Sequence, residues 1–101
     1  MKLSIFILLA AMSVFACDTY EAQFIAKVTE VETDSLTYCR AKISAESIAL
    51  YNEHILCPLD MSEVIAKGIS LPLINGHDCE VSVGEQISGY LYTRGNTIQL
   101  D

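Results

Sequence analysis

The chain has 101 residues and a formal net charge of −7, from 13 acidic and 6 basic side chains. This length fits a single small domain. Nucleic-acid binding needs Lys and Arg residues clustered to neutralise phosphates. The few cations of this chain form no such cluster, so a nucleic-acid partner is not expected.

Residues 1–16 have the features of a secretory signal peptide. Lys2 supplies a positive start, residues 3–16 carry no charge, and the small Ala16 precedes Cys17. The apolar run is shorter than the about 20 residues that a transmembrane helix needs. We therefore predict cleavage after Ala16, which leaves residues 17–101 as one small domain in the periplasm or outside the cell.

Residues 14–17, with the sequence Val-Phe-Ala-Cys, also resemble a bacterial lipobox, in which the Cys is diacylated and becomes the first residue of the mature protein. Phe15 departs from the small residue that is usual at its position. This resemblance makes Cys17 a candidate lipidation site and the protein a membrane-anchored lipoprotein. Membrane association is expected only in that case.

The chain contains an even number of cysteines, namely Cys17, Cys39, Cys57 and Cys79. In an exported chain an even number favours disulfides, each of which contributes about 2 to 4 kcal/mol. Four cysteines permit three pairings, and the sequence does not choose among them. Lipidation of Cys17 would leave an odd number of thiols, so the even count favours simple secretion.

Alternation of apolar and polar residues predicts a first strand over residues 20–31. Its apolar face carries Ala22, Phe24, Ala26 and Val28. A strand with this pattern packs one face on the core.

Two further strands are predicted before the middle of the chain. The second spans 36–44, after a turn at 33–35, and places Cys39 on its apolar face. The third spans 47–56, although helical spacing of its apolar residues is the alternative for this segment. Pro58 then prevents the strand from continuing.

A short helix is predicted after this proline. Asp60 is the expected N-cap, Glu63 follows three residues later, and Gly68 is the expected C-terminal stop. Residues 69–83 are predicted to be rich in loops, because Pro72 argues against a central strand.

Two hairpin turns are predicted from adjacent Gly and Asn residues, at 75–76 and 95–96. Around the second turn, alternation places Leu91 and Leu100 on the inward face and Tyr92 on the outward face. The predicted cross-strand pairs are Arg94 with Thr97, Thr93 with Ile98, Tyr92 with Gln99 and Leu91 with Leu100.

The predicted order is three strands, a short helix and two strands. This order is that of the OB-fold, a small, partly open five-stranded barrel with a helix between strands 3 and 4. We therefore predict a mainly β, OB-like domain. An α+β sandwich built from the same elements is the alternative.

Two histidines and two cysteines are a candidate zinc set, because zinc accepts imidazole and thiolate ligands. Against this, the spacing of His77 and Cys79 is tight for two ligands of one tetrahedral ion, and cysteines of an exported chain oxidise. We therefore expect disulfide cysteines with no metal and no cofactor. The candidate set is His54, Cys57, His77 and Cys79.

The sequence favours binding over catalysis. It has no serine-hydrolase, zinc-protease or phosphate-binding glycine motif, so an enzyme is not expected. Tyr90 and Tyr92 lie two residues apart on the outward face of a hairpin, with Arg94 beyond them. These three residues are the predicted binding face for an unknown protein or small molecule, and the alternative is that they only cover neighbouring side chains.

A mature chain that starts at Cys17 and runs directly into a strand at residues 22–31 resembles netrin-like modules, which include metalloproteinase inhibitors. The resemblance implies a functional role for the terminal Cys and, as a further alternative, a protease-inhibitor-like module. The chain departs from that pattern at residues 17–19, Cys-Asp-Thr, where those inhibitors have Cys-x-Cys.

Overall fold

The computed structural model describes residues 17–33, 37–74 and 78–101. The predicted signal peptide, the turn at 75–76, most of the turn at 33–35 and the candidate ligand His77 lie outside the described residues. The domain is mainly β. The elements are β1 (Glu21–Lys27), β2 (Glu30–Thr33), β3 (Tyr38–Lys42), a 3₁₀ turn (Ala45–Ser47), β4 (Ile48–Glu53), α1 (Met61–Lys67), β5 (Ile69–Ile74), β6 (Asp78–Cys79), β7 (Gln86–Arg94) and β8 (Thr97–Leu100).

The described strands form one open sheet in the order β2-β3-β5-β8-β7-β1-β4, with β6 beside β5. Neighbouring strands are antiparallel, except that β5 and β8 are parallel. The sequence predicts a small, partly open five-stranded OB-like barrel. No pairing among the described residues closes the sheet, whose edges are β2 and β4.

The sheet is strongly coiled. Only Val28 and Thr29 join β1 to β2, whereas β3, β5, β8 and β7 lie between these two strands in the sheet. In a flat sheet that separation would be about 24 Å at the usual strand spacing, but the short link spans only about 10 Å. The sheet must therefore curl until β1 and β2 meet end to end.

The prediction of one strand over 20–31 was wrong at this link, where the strand changes partner. The backbone N–H of Val28 donates to Glu85 at 2.9 Å, next to β7, and the N–H of Thr29 donates to Lys42 in β3 at 2.8 Å. The predicted inward face is confirmed, because Ala22, Phe24, Ala26 and Val28 are all buried.

The prediction that residues 69–83 are rich in loops was also wrong in its first half, because Ile69–Ile74 is a central strand. Pro72 lies opposite Tyr38, and the adjacent Leu73 N–H donates to Thr37 at 3.1 Å. Alternation along the strand therefore directs the Pro72 nitrogen away from β3. On that other side of β5, β8 pairs at Ser70 and β6 pairs at Leu73, so Pro72 lies between the two ladders. The missing N–H removes no ladder bond there.

The two elements with local sequence signals are confirmed. The C-terminal hairpin has all four predicted pairs, and Gly95 at its turn has a positive φ of 62°. The helix begins after Asp60, whose side chain accepts from the Ser62 N–H, and it ends at Gly68. Glu63 pairs with Lys67 instead of completing a capping box. No helix among the described residues is long and apolar enough to cross a membrane.

Two disulfides fix the coiled sheet. Cys17 is bonded to Cys57, and Cys39 is bonded to Cys79. The first joins the segment before β1 to the turn after β4, and the second joins β3 to β6. Cys39 is fully buried within the hydrophobic core. The largest fully buried side chains are Phe24, Leu59, Ile69, Leu91, Ile98, Val28 and Val64.

Replacing the second bridge with Cys39→Ala and Cys79→Ala is expected to lower the free energy of unfolding by about 4 kcal/mol. The bridge closes a loop with a sequence separation of 40, and removing it frees the unfolded chain. Urea denaturation measures the change. The control, Cys17→Ala with Cys57→Ala, opens a loop of the same separation but leaves no cavity in the core, so it should cost no more. Unchanged stability of the first variant would contradict this pairing.

Candidate binding groove

The outer face of strands β4, β1 and β7 carries one row of polar and aromatic side chains. Gln23 in the middle strand is in register with Asn52 on one side and Tyr90 on the other. The next row is Leu50 and Ile25. Because successive side chains alternate between faces, these residues lie on the side of the sheet opposite to Phe24 and the core.

The turn after β4 lies at the end of this face and exposes two large apolar residues. Ile55 is 94% exposed and Leu56 is 74% exposed. Large apolar side chains exposed to this extent and next to each other are uncommon on a small soluble domain and often mark an interaction site.

The backbone of this turn is fixed by hydrogen bonds on both sides. His54 Nδ1 accepts from the N–H groups of Leu56 at 3.2 Å and Cys57 at 3.1 Å. The His54 ring therefore closes the turn over the two residues that follow Ile55. The Glu21 backbone donates to Cys57 at 2.8 Å and accepts from His54 at 3.0 Å.

The disulfide completes this arrangement, because Cys57 is also bonded to Cys17. Ile55 and Leu56 are therefore followed directly by Cys57, which is held in two ways. The disulfide attaches it to Cys17, and a hydrogen bond attaches it to Glu21 at the start of β1. A partner that binds here meets a preorganised backbone and has less conformational entropy to remove.

A groove of about 550 Å³ runs between the turn and the strand face, and it is open to solvent along one side. Its size is in the range of ligand pockets. It contains one charged residue, Glu53. The other lining residues are Gln23, Asn52, His54, Ile55, Leu56 and Tyr90.

The predicted binding face and this groove overlap in one residue. Tyr90 lines the groove and is 39% exposed. Tyr92 lies one row further along, opposite Glu21, and Arg94 lies beyond it at the hairpin end. Binding by these three residues stays a prediction.

Sequence reasoning missed the turn itself, which contributes His54, Ile55 and Leu56. These residues had been assigned to the end of the predicted third strand, but β4 ends at Glu53. The available signal was the pair of apolar residues directly before Cys57 and Pro58. In a strand one of the pair faces outward, whereas here both do.

The candidate zinc set is not assembled by the described residues. Cys57 and Cys79 belong to different disulfides, so neither has a thiolate to offer. His54 uses Nδ1 to fix the turn. Among the described residues no group of three or more His, Cys, Asp or Glu side chains is placed to hold a metal ion.

Tyr51 supports the groove from the core side of β4. Its hydroxyl donates to the Leu59 carbonyl at 2.5 Å. Burial raises the pKa of Tyr51 far above its usual value near 10, and the negative charges of Glu53, Asp60 and Glu63 add to this effect.

No protein-family model, curated protein sequence or solved structure matches this chain.

Removing the His54 ring with His54→Ala is expected to speed hydrogen exchange of the Leu56 and Cys57 amides by about ten-fold, because each loses its acceptor. NMR-detected exchange measures this. His54→Asn is the matched control, since its Oδ1 lies at the same position along the side chain and can accept the same bonds. Equal exchange in both variants and in the parent would contradict the role given to Nδ1.

Stability is expected to fall at high pH through Tyr51. Its pKa is higher in the folded state than in the unfolded state, so this contribution is fully present below about pH 10 and is lost as the pH rises above that value. Denaturation at several pH values between about 9 and 12 measures the slope. Tyr51→Phe should lose the pH dependence that Tyr51 causes, and it should also lower the free energy of unfolding by about 1 kcal/mol at neutral pH. Tyr90→Phe should retain that pH dependence. An unchanged slope in Tyr51→Phe would contradict the assignment.

Proposed function

We propose that this chain is an exported, non-catalytic binding module of the cell envelope or extracellular space, which docks a protein on the groove beside the exposed turn. The observation that carries the proposal is the exposure of Ile55 and Leu56 on a backbone fixed by hydrogen bonds and a disulfide. An exposed apolar pair lowers solubility, and the fixed backbone keeps these two side chains from turning inward. Residues that anchor a protein interface are expected to have this arrangement.

The open shape of the groove favours a protein over a small molecule. Small-molecule pockets bury most of the ligand surface, whereas this groove is open to solvent and borders the exposed outer face of β4, β1 and β7. The aromatic ring of Tyr90 and the two aliphatic side chains provide the kind of contact area that dominates protein interfaces.

The disulfides support export. Two disulfides are consistent with an oxidising environment outside the cytoplasm. The bridge from Cys17 also favours simple secretion over lipidation, because a lipid thioether would need the same Sγ atom that bonds to Cys57. We therefore propose that residues 1–16 are a cleaved signal peptide.

The coiled sheet supports an OB-like relationship. The order up to the helix agrees with the prediction if β1 and β2 are taken as the two halves of one bent strand, since a short helix then follows the third strand. After the helix, β5 and β6 precede the predicted hairpin of β7 and β8. The third of these strands, β4, is an edge strand that lies outside β1 and contributes the turn of the groove. The proposal places binding on a strand face, as OB-type domains commonly do.

A protease-inhibitor-like module is the second candidate function. Netrin-like inhibitors use their terminal Cys, and here Cys17 is bonded directly behind the exposed turn. The turn itself is bent, with both Leu56 and Cys57 donating back to His54. An inhibitor would therefore present this turn as a compact ridge and not as an extended substrate-like loop.

Photo-crosslinking tests the docking site. A photoreactive amino acid in place of Ile55 is expected to capture a discrete protein from the extracytoplasmic fraction of the source cells, and a protease as the captured protein would favour the second candidate. The same amino acid in place of Val83, which is 63% exposed elsewhere, is expected to capture none. Tyr90→Ser should reduce capture from position 55, whereas Ile74→Ser, at a 46% exposed residue outside the groove, should not. Identical products from both positions, or none from position 55, would contradict the proposal.

A further inference from the structure

The open sheet has two edge strands, and they differ in how they are protected. Edge strand β2 has four residues, of which Glu30 and Glu32 are charged, and Glu32 is paired with Lys42 at 3.5 Å. Charged side chains and short length are the usual means of preventing another strand from adding to an edge. The β2 edge therefore has both protections.

The β4 edge has neither protection. It runs for six residues, has no Pro or Lys, and carries no charge before Glu53 at its end. Ala49 is exposed, and Leu50 is 37% exposed. The register with β1 shifts between Leu50 and Ile48, so the regular part of this edge is residues 50–53. An uncharged stretch of this kind at a sheet edge can accept another strand.

The outward backbone groups of β4 can be assigned from its ladder. The His54 N–H donates to the opposite Glu21 carbonyl at 3.0 Å, so this pair bonds across the ladder, although the Glu21 N–H donates to Cys57 instead of His54. In an antiparallel ladder such pairs alternate with pairs that do not bond across. Tyr51, opposite Phe24, and Glu53, opposite Ala22, therefore direct their N–H and C=O groups away from β1. Because β4 ends the strand order, no described strand pairs with these groups.

We propose that the β4 edge binds an extended segment of a cationic partner by β-strand addition. This inference deepens the proposed function and rests on it, because the C-terminal end of β4 leads directly into the exposed turn of the groove. The main-chain bonds of such an added strand supply affinity, and the flanking side chains supply selectivity.

The charges at the two ends of β4 define the partner. Glu46 lies two residues before the strand, and Glu53 is its last residue; both side chains are exposed. The whole chain has a formal net charge of −7. A segment with Lys or Arg at both ends and apolar residues between them would match this pattern.

A second copy of the chain fits the edge poorly. Antiparallel pairing of two β4 strands about their centre would bring Glu53 of one copy within about two residues of Glu46 of the other, at both ends of the ladder. Like charges at that spacing oppose association. The outer strand face next to the edge, with Leu50 beside Ile25, provides the apolar contact for the alternate side chains of a partner strand.

Titration with a designed peptide tests this inference. The probe is a heptapeptide of alternating Val and Thr between two terminal Lys residues, and its control is the same peptide with terminal Glu residues. Amide shifts of the ¹⁵N-labelled mature protein, recorded at low salt, report the binding site. The Lys peptide is expected to bind saturably and to shift the amides of Ile48–Glu53, whereas the Glu peptide should bind at least about five-fold more weakly.

A charge swap provides the matched comparison. The double variant Glu46→Lys with Glu53→Lys should bind the Lys peptide about ten-fold more weakly and bind the Glu peptide more tightly than the parent does. Glu30→Lys with Glu80→Lys changes the net charge equally, but at exposed residues away from β4, and should change either affinity by less than about two-fold.

Several results would overturn the inference: no saturable binding at millimolar peptide, shifts centred on β2, or equal effects of the two charge swaps. Shifts at Leu56 and Tyr90 with the β4 amides unchanged would also overturn the edge assignment, but they would leave the groove and the proposed function standing. Shifts along β4 with no capture from position 55 would support strand addition at the β4 edge and contradict the proposed docking in the groove.

Discussion

Strand β1 is the element on which the rest of the structure depends. It pairs with β4 on one side and with β7 on the other, and its inward side chains Ala22 and Phe24 are completely buried. The two alanines that flank Phe24 along the inward face leave room for the neighbouring elements to approach. Since the strand then bends into β2 at Val28, one continuous segment connects the β2 edge to the strand next to the opposite edge, and this short connection requires the sheet to curl.

The candidate groove is a consequence of how the start of β1 is attached. The Glu21 backbone bonds to His54 and Cys57, and also accepts from the Leu59 N–H. Cys17, four residues earlier, adds a covalent bond to the same turn. A domain of this size has a small core and gains much of its stability from such bridges. Here one bridge also fixes the most exposed apolar residues of the described chain, so stability and presentation of the turn have a common physical origin.

Features governed by neighbouring residues were predictable from the sequence. The register of the C-terminal hairpin follows from Gly95 and the alternation around it, and the helix bounds follow from Asp60 and Gly68. Features set by distant contacts were not. The tolerance of Pro72 within β5 depends on where the β8 and β6 ladders end, and the disulfide pairing depends on the coil of the sheet. Of the groove, only Tyr90 was predicted, because the turn depends on hydrogen bonds to Glu21, more than thirty positions away along the chain, as well as on the local bonds to His54.

The intact mass of the mature protein isolated from its source, before and after reduction and alkylation, distinguishes a disulfide at Cys17 from a lipid at Cys17. We expect a chain that starts at Cys17, carries no lipid and has thiols that alkylate only after reduction. That result would establish that Cys17 lies in a disulfide and carries no lipid anchor. A mass increased by a diacylglyceryl group on Cys17, with a free thiol on Cys57, would contradict the account, because the turn would then lose its covalent attachment and the protein would act at a membrane.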